Sequence, residues 1–182
     1  MTASPSRFEQ AVGQVLRHEG GFVQHPRDPG GATKFGIMRD TLSRAKKRQA
    51  SVDDVRRLTP QEAIAIYRRL YWDAVRADEL PPGLDLAVFD LAVNSGPARA
   101  VKMLQAALGS EADGIVGPVT LGAALAADVP DVIRRLTKAR LGFLGRLATW
   151  PVFGPGWRRR VLSIEQEALR LASPPSSSSR NV

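Results

Sequence analysis

The stretch LDLAVFDLAV at residues 84–93 is apolar on nearly every side, which indicates a helix buried in the centre of a domain. It lies between the breaker sequence PPG at residues 81–83 and GP at residues 96–97. Asp85 and Asp90 interrupt the apolar run. We interpret Asp90 as a buried, hydrogen-bonded anchor rather than as a catalytic group, because buried polar groups need partners. The fold is predicted to form around this helix.

Helical signals continue on the N-terminal side. Ser6 and Glu9 form a capping box, and the apolar stripe behind them predicts a helix that ends at residues 20–21. A second capping box at residues 59–62 predicts a helix to about Asp73. Residues 37–48 fit a short basic helix. The glycines and prolines of residues 21–36 predict a shaped loop or a short irregular hairpin.

Further helical patterns cover residues 119–127, 132–148 and 158–171 on the C-terminal side. The stretch WPVFGPGW at residues 150–157 is interpreted as an aromatic loop because of its prolines and glycines. Residues 173–182, rich in serine and proline, predict a disordered tail. The sequence shows no βαβ alternation, phosphate-binding glycine loop or internal repeat. It therefore predicts a mainly α fold.

The composition limits the chemistry that the chain can perform. Its 182 residues favour one compact domain, and it has no cysteine and two histidines, His18 and His25. A disulfide framework, a thiolate zinc site and a cysteine nucleophile are excluded. Neither histidine has a carboxylate cluster at ligand spacing, so we expect no metal and no cofactor.

The charge balance predicts an anionic partner. Lys and Arg total 26 against 18 acidic residues, a net charge of +8. Nucleic acid, an anionic lipid surface and the bacterial cell wall all carry the negative charge that attracts a basic protein. The alternative is that the arginines form a solvated surface with no such partner. No apolar stretch approaches the ~18 residues of a membrane span, and no leader precedes Phe8. We expect neither a membrane anchor nor a Sec signal.

Glu19 and Asp28 are the candidate catalytic pair. Glu19 stands at the end of the first predicted helix, where the helix dipole and apolar neighbours such as Phe22 favour the protonated acid. Asp28, in a polar turn beside Arg27, stays ionised more readily. Two carboxylates with such different environments suit glycoside hydrolysis. The alternative is that Glu19 is a solvated helix-end residue and Asp28 a turn former.

The motifs HEGGF (residues 18–22), DPGGAT (28–33) and FGI (35–37) together resemble the signature of the glycoside hydrolase family 108 muramidases, which cleave peptidoglycan. The resemblance continues in order to about Leu171, through residues 59–72, 88–97, 113–120 and 153–160. It implies a lysozyme-like, bilobed helical fold with a small loop or hairpin beside the active cleft. It also implies that Glu19 is the catalytic acid, accompanied by Asp28 and Thr33. Residues 1–95 are expected to form the catalytic part and residues 96–172 a peptidoglycan-binding part packed with it.

Three further residues are candidate substrate contacts. Asn94, near the end of the buried helix, could hydrogen-bond a sugar N-acetyl group or act as the helix C-cap. Tyr67 and Trp72, like Trp157, could stack on sugar faces, and the alternative is a place in the core.

The predicted function is a lysozyme-type N-acetylmuramidase that cleaves the glycan β-1,4 bond, its partner being bacterial peptidoglycan. A non-catalytic cell-wall binding or secretion-accessory protein of the same fold is the alternative. Nucleic-acid binding is disfavoured because the arginines are scattered and no recognition motif is present. We expect a monomer made in the bacterial cytoplasm that reaches the wall after holin-type or other non-Sec release, as a phage-type endolysin does.

Overall fold

The computed structural model describes residues 5–17, 22 and 31–173. Within these ranges the chain is mainly helical, as predicted, and it carries one two-stranded hairpin. It divides into two compact units, Met1–Ala74 and Val75–Val182. The expected boundary at residue 95 stays a prediction, and residues 174–182 of the expected tail lie outside the described residues. None of the helices in the described part is both long and apolar enough to cross a membrane.

The first unit begins with helix α1 (Arg7–Arg17), whose start is the predicted capping box. The Ser6 N–H donates to Glu9 Oε2 at 2.7 Å, and the Glu9 N–H donates to Ser6 Oγ at 3.2 Å. These reciprocal bonds satisfy amides that a helix start leaves unpaired. The unit continues with β1 (Thr33–Lys34), β2 (Ile37–Met38), α2 (Arg39–Lys46), α3 (Val52–Arg56) and α4 (Pro60–Tyr67).

Two predicted helices of this unit differ from the structure. Residues 37 and 38 are a strand, and α2 begins only at Arg39, because the Arg39 N–H donates to the Ala32 carbonyl and closes the hairpin. The helix predicted to run to Asp73 starts correctly at its Thr59 cap but keeps α-helical bonding only to Tyr67. A π-helical turn, Arg68–Trp72, and a 3₁₀ turn, Asp73–Val75, follow it.

The second unit is organised around α5 (Leu84–Ser95), the predicted central helix. Every residue from Leu84 to Ala92 is buried, and within the described part of the chain α5 packs against the 3₁₀ turn Ala77–Glu79 and against three α-helices. These are α6 (Pro97–Leu108), α8 (Val129–Leu144) and α9 (Trp150–Ala172), while α7 (Pro118–Ala126) packs against α6. The interpretation of residues 84–93 as a core helix is confirmed.

The start of α5 lies in direct contact with α9. Gly83 has φ +85°, and a Cβ on it would lie 2.2 Å from the Ala168 carbonyl oxygen. Both the backbone angle and the space therefore require glycine.

The aromatic loop predicted at residues 150–157 is wrong, because these residues form the first two turns of α9. Pro151 stands in the first turn, where a missing N–H removes no helical bond. Gly154 leaves room for an indole, since a Cβ there would lie 2.6 Å from the Trp150 ring. Ring contacts of Trp157 with Phe153 and Trp150 follow the same helix face. The glycine therefore serves packing on the helix and not a turn.

Candidate active site

The two candidate carboxylates, Glu19 and Asp28, lie outside the described residues, as do His18 and His25. The structure describes the chain on either side of them. Helix α1 ends at Arg17, two positions before Glu19, and the hairpin begins at Thr33, five positions after Asp28. Phe22, which lies between the two carboxylates in the sequence, is described as well. How these three points are held determines how the first unit supports the candidate site.

Helix α1 is fixed by an aromatic contact with the π-helical turn. The rings of Phe8 and Trp72 meet edge to face with centroids 5.4 Å apart. The Arg68 guanidinium lies 5.2 Å from the Phe8 ring centroid. Trp72 is 0% exposed, so its ring has no face available to a sugar and takes the core position that was its alternative.

The hairpin after Asp28 is a tight turn with two left-handed residues. Thr33 pairs with Met38 and Lys34 with Ile37, while Phe35 has φ 51° and Gly36 φ 71° between them. Positive φ at both positions matches the type I′ turn, which follows the twist of two-residue hairpins. A phenylalanine in this conformation is strained, and such residues persist only where their surroundings hold them.

The hydroxyl of Tyr67 holds this strained turn. It donates to the Phe35 carbonyl oxygen at 3.0 Å, and the tyrosine is only 1% exposed. The predicted sugar-stacking residue Tyr67 therefore faces the hairpin backbone from within the core. Since Tyr67 ends α4 and Trp72 ends the π-helical turn, one short segment contacts both flanks of the candidate site.

Helix α3 provides a third support through Arg56. Its guanidinium lies 5.1 Å from the Phe22 ring centroid, and its carbonyl oxygen accepts a hydrogen bond from Lys34 Nζ at 2.7 Å. Arg56 therefore contacts both Phe22 and Lys34 of β1. Thr33, the third predicted catalytic residue, is half-buried in β1 at this end of the hairpin.

Asn94 belongs to the second unit, in the last turn of α5. It is exposed, and its Oδ1 accepts a hydrogen bond from Ser95 Oγ at 3.1 Å. The alternative of a C-cap role does not hold, because Gly96, with φ 87°, is the residue that ends the helix. Asn94 lines a cavity of about 280 Å³ together with residues of α6, α8 and α9.

Asp90 is the buried anchor that the sequence predicted. Arg140 Nη1 donates to its Oδ2 at 2.6 Å, and Arg160 Nη2 and Nε donate to its Oδ1 at 2.9 and 3.1 Å. Burial raises the pKa of the Asp90 carboxyl, but the two guanidinium groups outweigh that effect and hold the pKa below its ordinary value. We call these three residues the buried clamp. Its two arginines were missed in the sequence, although Arg160 stands in the RRR run of residues 158–160.

The described ranges contain no group of three or more His, Asp or Glu side chains that could hold a metal ion.

Comparison with known proteins gives two family matches that cover most of the chain in succession. Residues 12–96 match the glycosyl hydrolase 108 model, and residues 99–162 match a model described as a predicted peptidoglycan domain. No curated protein matches the chain.

A solved structure resembles the chain over nearly its whole length. It is that of Brucella abortus SagA, with 44% sequence identity and a TM-score of 0.87, covering 93% of this chain and 97% of that one. Identity at this level over such coverage indicates a shared fold and a shared family.

Proposed function

The chain belongs to the glycosyl hydrolase 108 family and is a lysozyme-type peptidoglycan hydrolase, and we propose that it cleaves the glycan β-1,4 bond by acid catalysis through Glu19. The observation that carries this proposal is the match of residues 12–96, which spans Glu19, Asp28 and Thr33, to a hydrolase family. The second match, to a peptidoglycan domain, gives the substrate.

In the proposed mechanism Glu19 donates its proton to the glycosidic oxygen as the bond breaks. Because Glu19 follows the C-terminal end of α1, the negative end of the helix dipole favours its protonated form. Asp28 remains ionised and either stabilises positive charge at the anomeric carbon or orients water. Thr33, at the start of the hairpin, is proposed to assist Asp28.

The supports found in the first unit fit this division of roles. An acid and a carboxylate act together only when their separation is fixed. The Phe8–Trp72 contact, the Tyr67 hydrogen bond and Arg56 fix the chain before, after and between the two carboxylates. We propose that Tyr67 and Trp72 are positioning residues for this reason.

The test is release of reducing sugar from purified sacculi by the full-length chain. Glu19→Gln should fold normally and lose nearly all turnover, because an amide keeps the shape but has no proton to donate. Asp28→Asn should slow the reaction by at least about tenfold, roughly 1.4 kcal/mol of transition-state stabilisation.

Glu111→Gln is the matched control, since Glu111 is an exposed carboxylate of the second unit. It should keep the wild-type rate. Equal rates for Glu19→Gln and the control would remove Glu19 from the mechanism, and an unaffected Asp28→Asn would reduce Asp28 to a turn residue.

We also propose that the enzyme is bacteriolytic, in the manner of a phage-type endolysin released to the wall by a holin-type or other non-Sec route. The net charge of +8 supports this, because it favours adhesion to an anionic wall. Expression in a bacterial host with and without a holin tests it. Lysis should require the holin, and lysis at the same time in both cultures would contradict this route.

A further inference from the structure

Helices α8 and α9 form a helical hairpin that concentrates the positive charge of the chain. The two helices pack against each other and are joined by residues 145–149. Residues 132–164 carry eight arginines and lysines and no aspartate or glutamate. These cations are Arg134, Arg135, Lys138, Arg140, Arg146, Arg158, Arg159 and Arg160. The fold thus gathers a large share of the cations of the chain on one helical hairpin.

Three of these eight cations are paired within the second unit. Arg140 and Arg160 belong to the buried clamp, and Arg135 pairs with Asp131. The other five are exposed, and none of them forms an ion pair with a described residue. They are Arg134, Lys138, Arg146, Arg158 and Arg159. In the run RRR at residues 158–160, the clamp therefore takes the third arginine into the core and leaves the first two in solvent.

Exposed apolar side chains lie at the tip of the helical hairpin. Val152 is 74% exposed and Phe153 is 53% exposed, and both stand in the first turn of α9. Phe153 stacks on the half-buried Trp157 with centroids 5.7 Å apart, and the Trp150 ring lies 6.3 Å from the Trp157 ring. Exposed apolar side chains that continue into a cluster of aromatic rings indicate an interaction surface.

A groove along α9 carries the polar part of the same surface. Its volume is about 650 Å³, and its lining includes Trp150, Arg158 and Arg159. Ser163 and Gln166 add a hydroxyl and an amide group, and none of the described residues that line the groove is acidic. Guanidinium, hydroxyl and amide groups all donate hydrogen bonds to phosphate oxygens. The groove is therefore suited to an anionic phosphate group.

Cations, aromatic rings and exposed aliphatic side chains together are typical of a surface that lies on a membrane. Such a surface buries its apolar side chains at the boundary between headgroups and acyl chains, while Lys and Arg attract the anionic lipids. Tryptophan is enriched at the same boundary. Nucleic acid and the cell wall also attract cations, but neither polymer offers an apolar phase to Val152 and Phe153. A bilayer therefore fits this surface better than either polymer.

We propose that the helical hairpin docks the enzyme on the surface of an anionic phospholipid bilayer. Val152 and Phe153 enter the boundary below the headgroups, and Arg158 and Arg159 bind lipid phosphates in the groove. The docking is peripheral, because the first turn of α9 reaches only into that boundary. The inference concerns where the enzyme is held and goes beyond the proposed cleavage of peptidoglycan.

Co-sedimentation of the full-length protein with lipid vesicles tests the charged part of the surface. The wild type should bind vesicles of phosphatidylglycerol and phosphatidylcholine, and it should bind vesicles of phosphatidylcholine alone far more weakly. Arg158→Gln/Arg159→Gln should weaken binding to the anionic vesicles at least about tenfold, since each cation near an anionic membrane strengthens binding about fivefold. Arg39→Gln/Arg44→Gln, which removes two exposed arginines of α2, is the matched control. It should bind within about twofold of the wild type, because distant charges are screened.

Val152→Ser/Phe153→Ser tests the apolar part of the surface without changing the charge. It should weaken binding to the anionic vesicles at least about tenfold, because the apolar area that enters the bilayer is lost. Its co-sedimentation with sacculi should equal that of the wild type. Val119→Ser/Leu125→Ser is the matched control, since both are exposed apolar residues of α7, and it should keep the wild-type affinity for vesicles.

Tryptophan fluorescence shows whether the helical hairpin itself meets the bilayer. The chain has three tryptophans, and Trp72 is buried in the first unit. Anionic vesicles with brominated acyl chains should quench the wild type. They should leave Trp150→Phe/Trp157→Phe unquenched, because only Trp72 remains in that variant.

A wild type that sediments with neither kind of vesicle would overturn the proposal. Equal affinity for anionic vesicles in Arg158→Gln/Arg159→Gln and in its α2 control would do so too, as would unchanged affinity in Val152→Ser/Phe153→Ser. Tighter binding to a DNA duplex than to anionic vesicles at the same salt concentration would assign the surface to nucleic acid instead. An equal loss of sacculus binding and vesicle binding in Val152→Ser/Phe153→Ser would assign it to the wall.

Discussion

Replacing Asp90 with asparagine should destabilise the second unit severely, because the side chain is the common partner of two arginines. Asp90 is 0% exposed and accepts three hydrogen bonds from Arg140 and Arg160. Asparagine keeps the shape but is neutral, and its amide N–H group would face other donors. Arg140, 4% exposed, would then hold a buried charge with no counter-ion.

The magnitude follows from the burial of Arg140. Removing one partner of a buried ion pair costs about 3–5 kcal/mol, whereas exposed pairs contribute about 0–1 kcal/mol. Arg160 is 18% exposed and can recover some hydration, so the main loss comes from Arg140. For a unit of this size, about 3 kcal/mol lowers Tm by about 12 °C or more.

The effect should also depend on pH in a defined direction. The pKa of Asp90 lies below its ordinary value in the folded protein, since the two guanidinium groups outweigh burial. The contribution of the ionised Asp90 carboxylate to the free energy of unfolding is therefore complete above the unfolded pKa of about 3.9, and it is lost as the pH falls through the folded pKa. The difference between wild type and Asp90→Asn should be constant from about pH 5 to 8 and shrink only below about pH 4.

Urea denaturation measures the free energy of unfolding of the wild type and of the variant. Hydrogen exchange of individual peptides then shows which helices lose protection. Amides of α5, α8 and α9 should lose protection, while those of α2 and α4 in the first unit serve as an internal reference. Asp131→Asn breaks the exposed Asp131–Arg135 pair of α8 and should cost at most about 1 kcal/mol. A loss of under 1 kcal/mol for Asp90→Asn, or one equal to that of the control, would refute the assignment of the clamp.

Three further outcomes are expected. Tyr67→Phe removes the hydrogen bond to the Phe35 carbonyl oxygen, which should lower the free energy of unfolding by about 1 kcal/mol and kcat on sacculi severalfold. An unchanged kcat would show that the hairpin needs no such support. Gly83→Ala should cost at least about 2 kcal/mol more than Gly96→Ala when Tm is measured, because both glycines have positive φ but a Cβ at Gly83 alone of these two meets another backbone. Raising salt from about 0.05 to 0.5 M should weaken co-sedimentation with sacculi strongly while the cleavage of a soluble uncharged oligomer changes little, since exposed charges act over a Debye length of about 8 Å; equal slowing of both would place the charge in the cleft itself.

Helices whose ends carry local signals were predictable from the sequence. The capping boxes at Ser6 and Thr59 specify their helix starts through bonds between residues three apart. Residues 150–157 were not predictable, because the fit of Gly154 under the Trp150 ring exists only once the helix has formed. The number of prolines and glycines also overstated the break, because Pro151 stands in the first turn, where a helix tolerates proline.

The sequence singles out candidate site residues by motif, and their catalytic roles stay a prediction, whereas the contacts that support the chain around them were not predictable. Glu19, Asp28 and Thr33 stand out by motif, and Asp90 by its place in an apolar run. Tyr67 contacts Phe35 across 32 residues, and Asp90 meets Arg140 and Arg160 across 50 and 70. Periodicity reports which face of a helix is buried but not which residue lies opposite, so these partners needed the structure.

The π-helical turn at Arg68–Trp72 makes chain length a constraint of its own. Removing one residue from this turn would restore regular α-helical spacing and rotate everything after it by about 100°. Trp72 would leave its place against Phe8 while Tyr67 kept its own, so the two flanks of the candidate site would lose their common support. Chimeras between related enzymes should therefore be joined outside residues 60–75, because contacts at both ends of that segment fix its helical register.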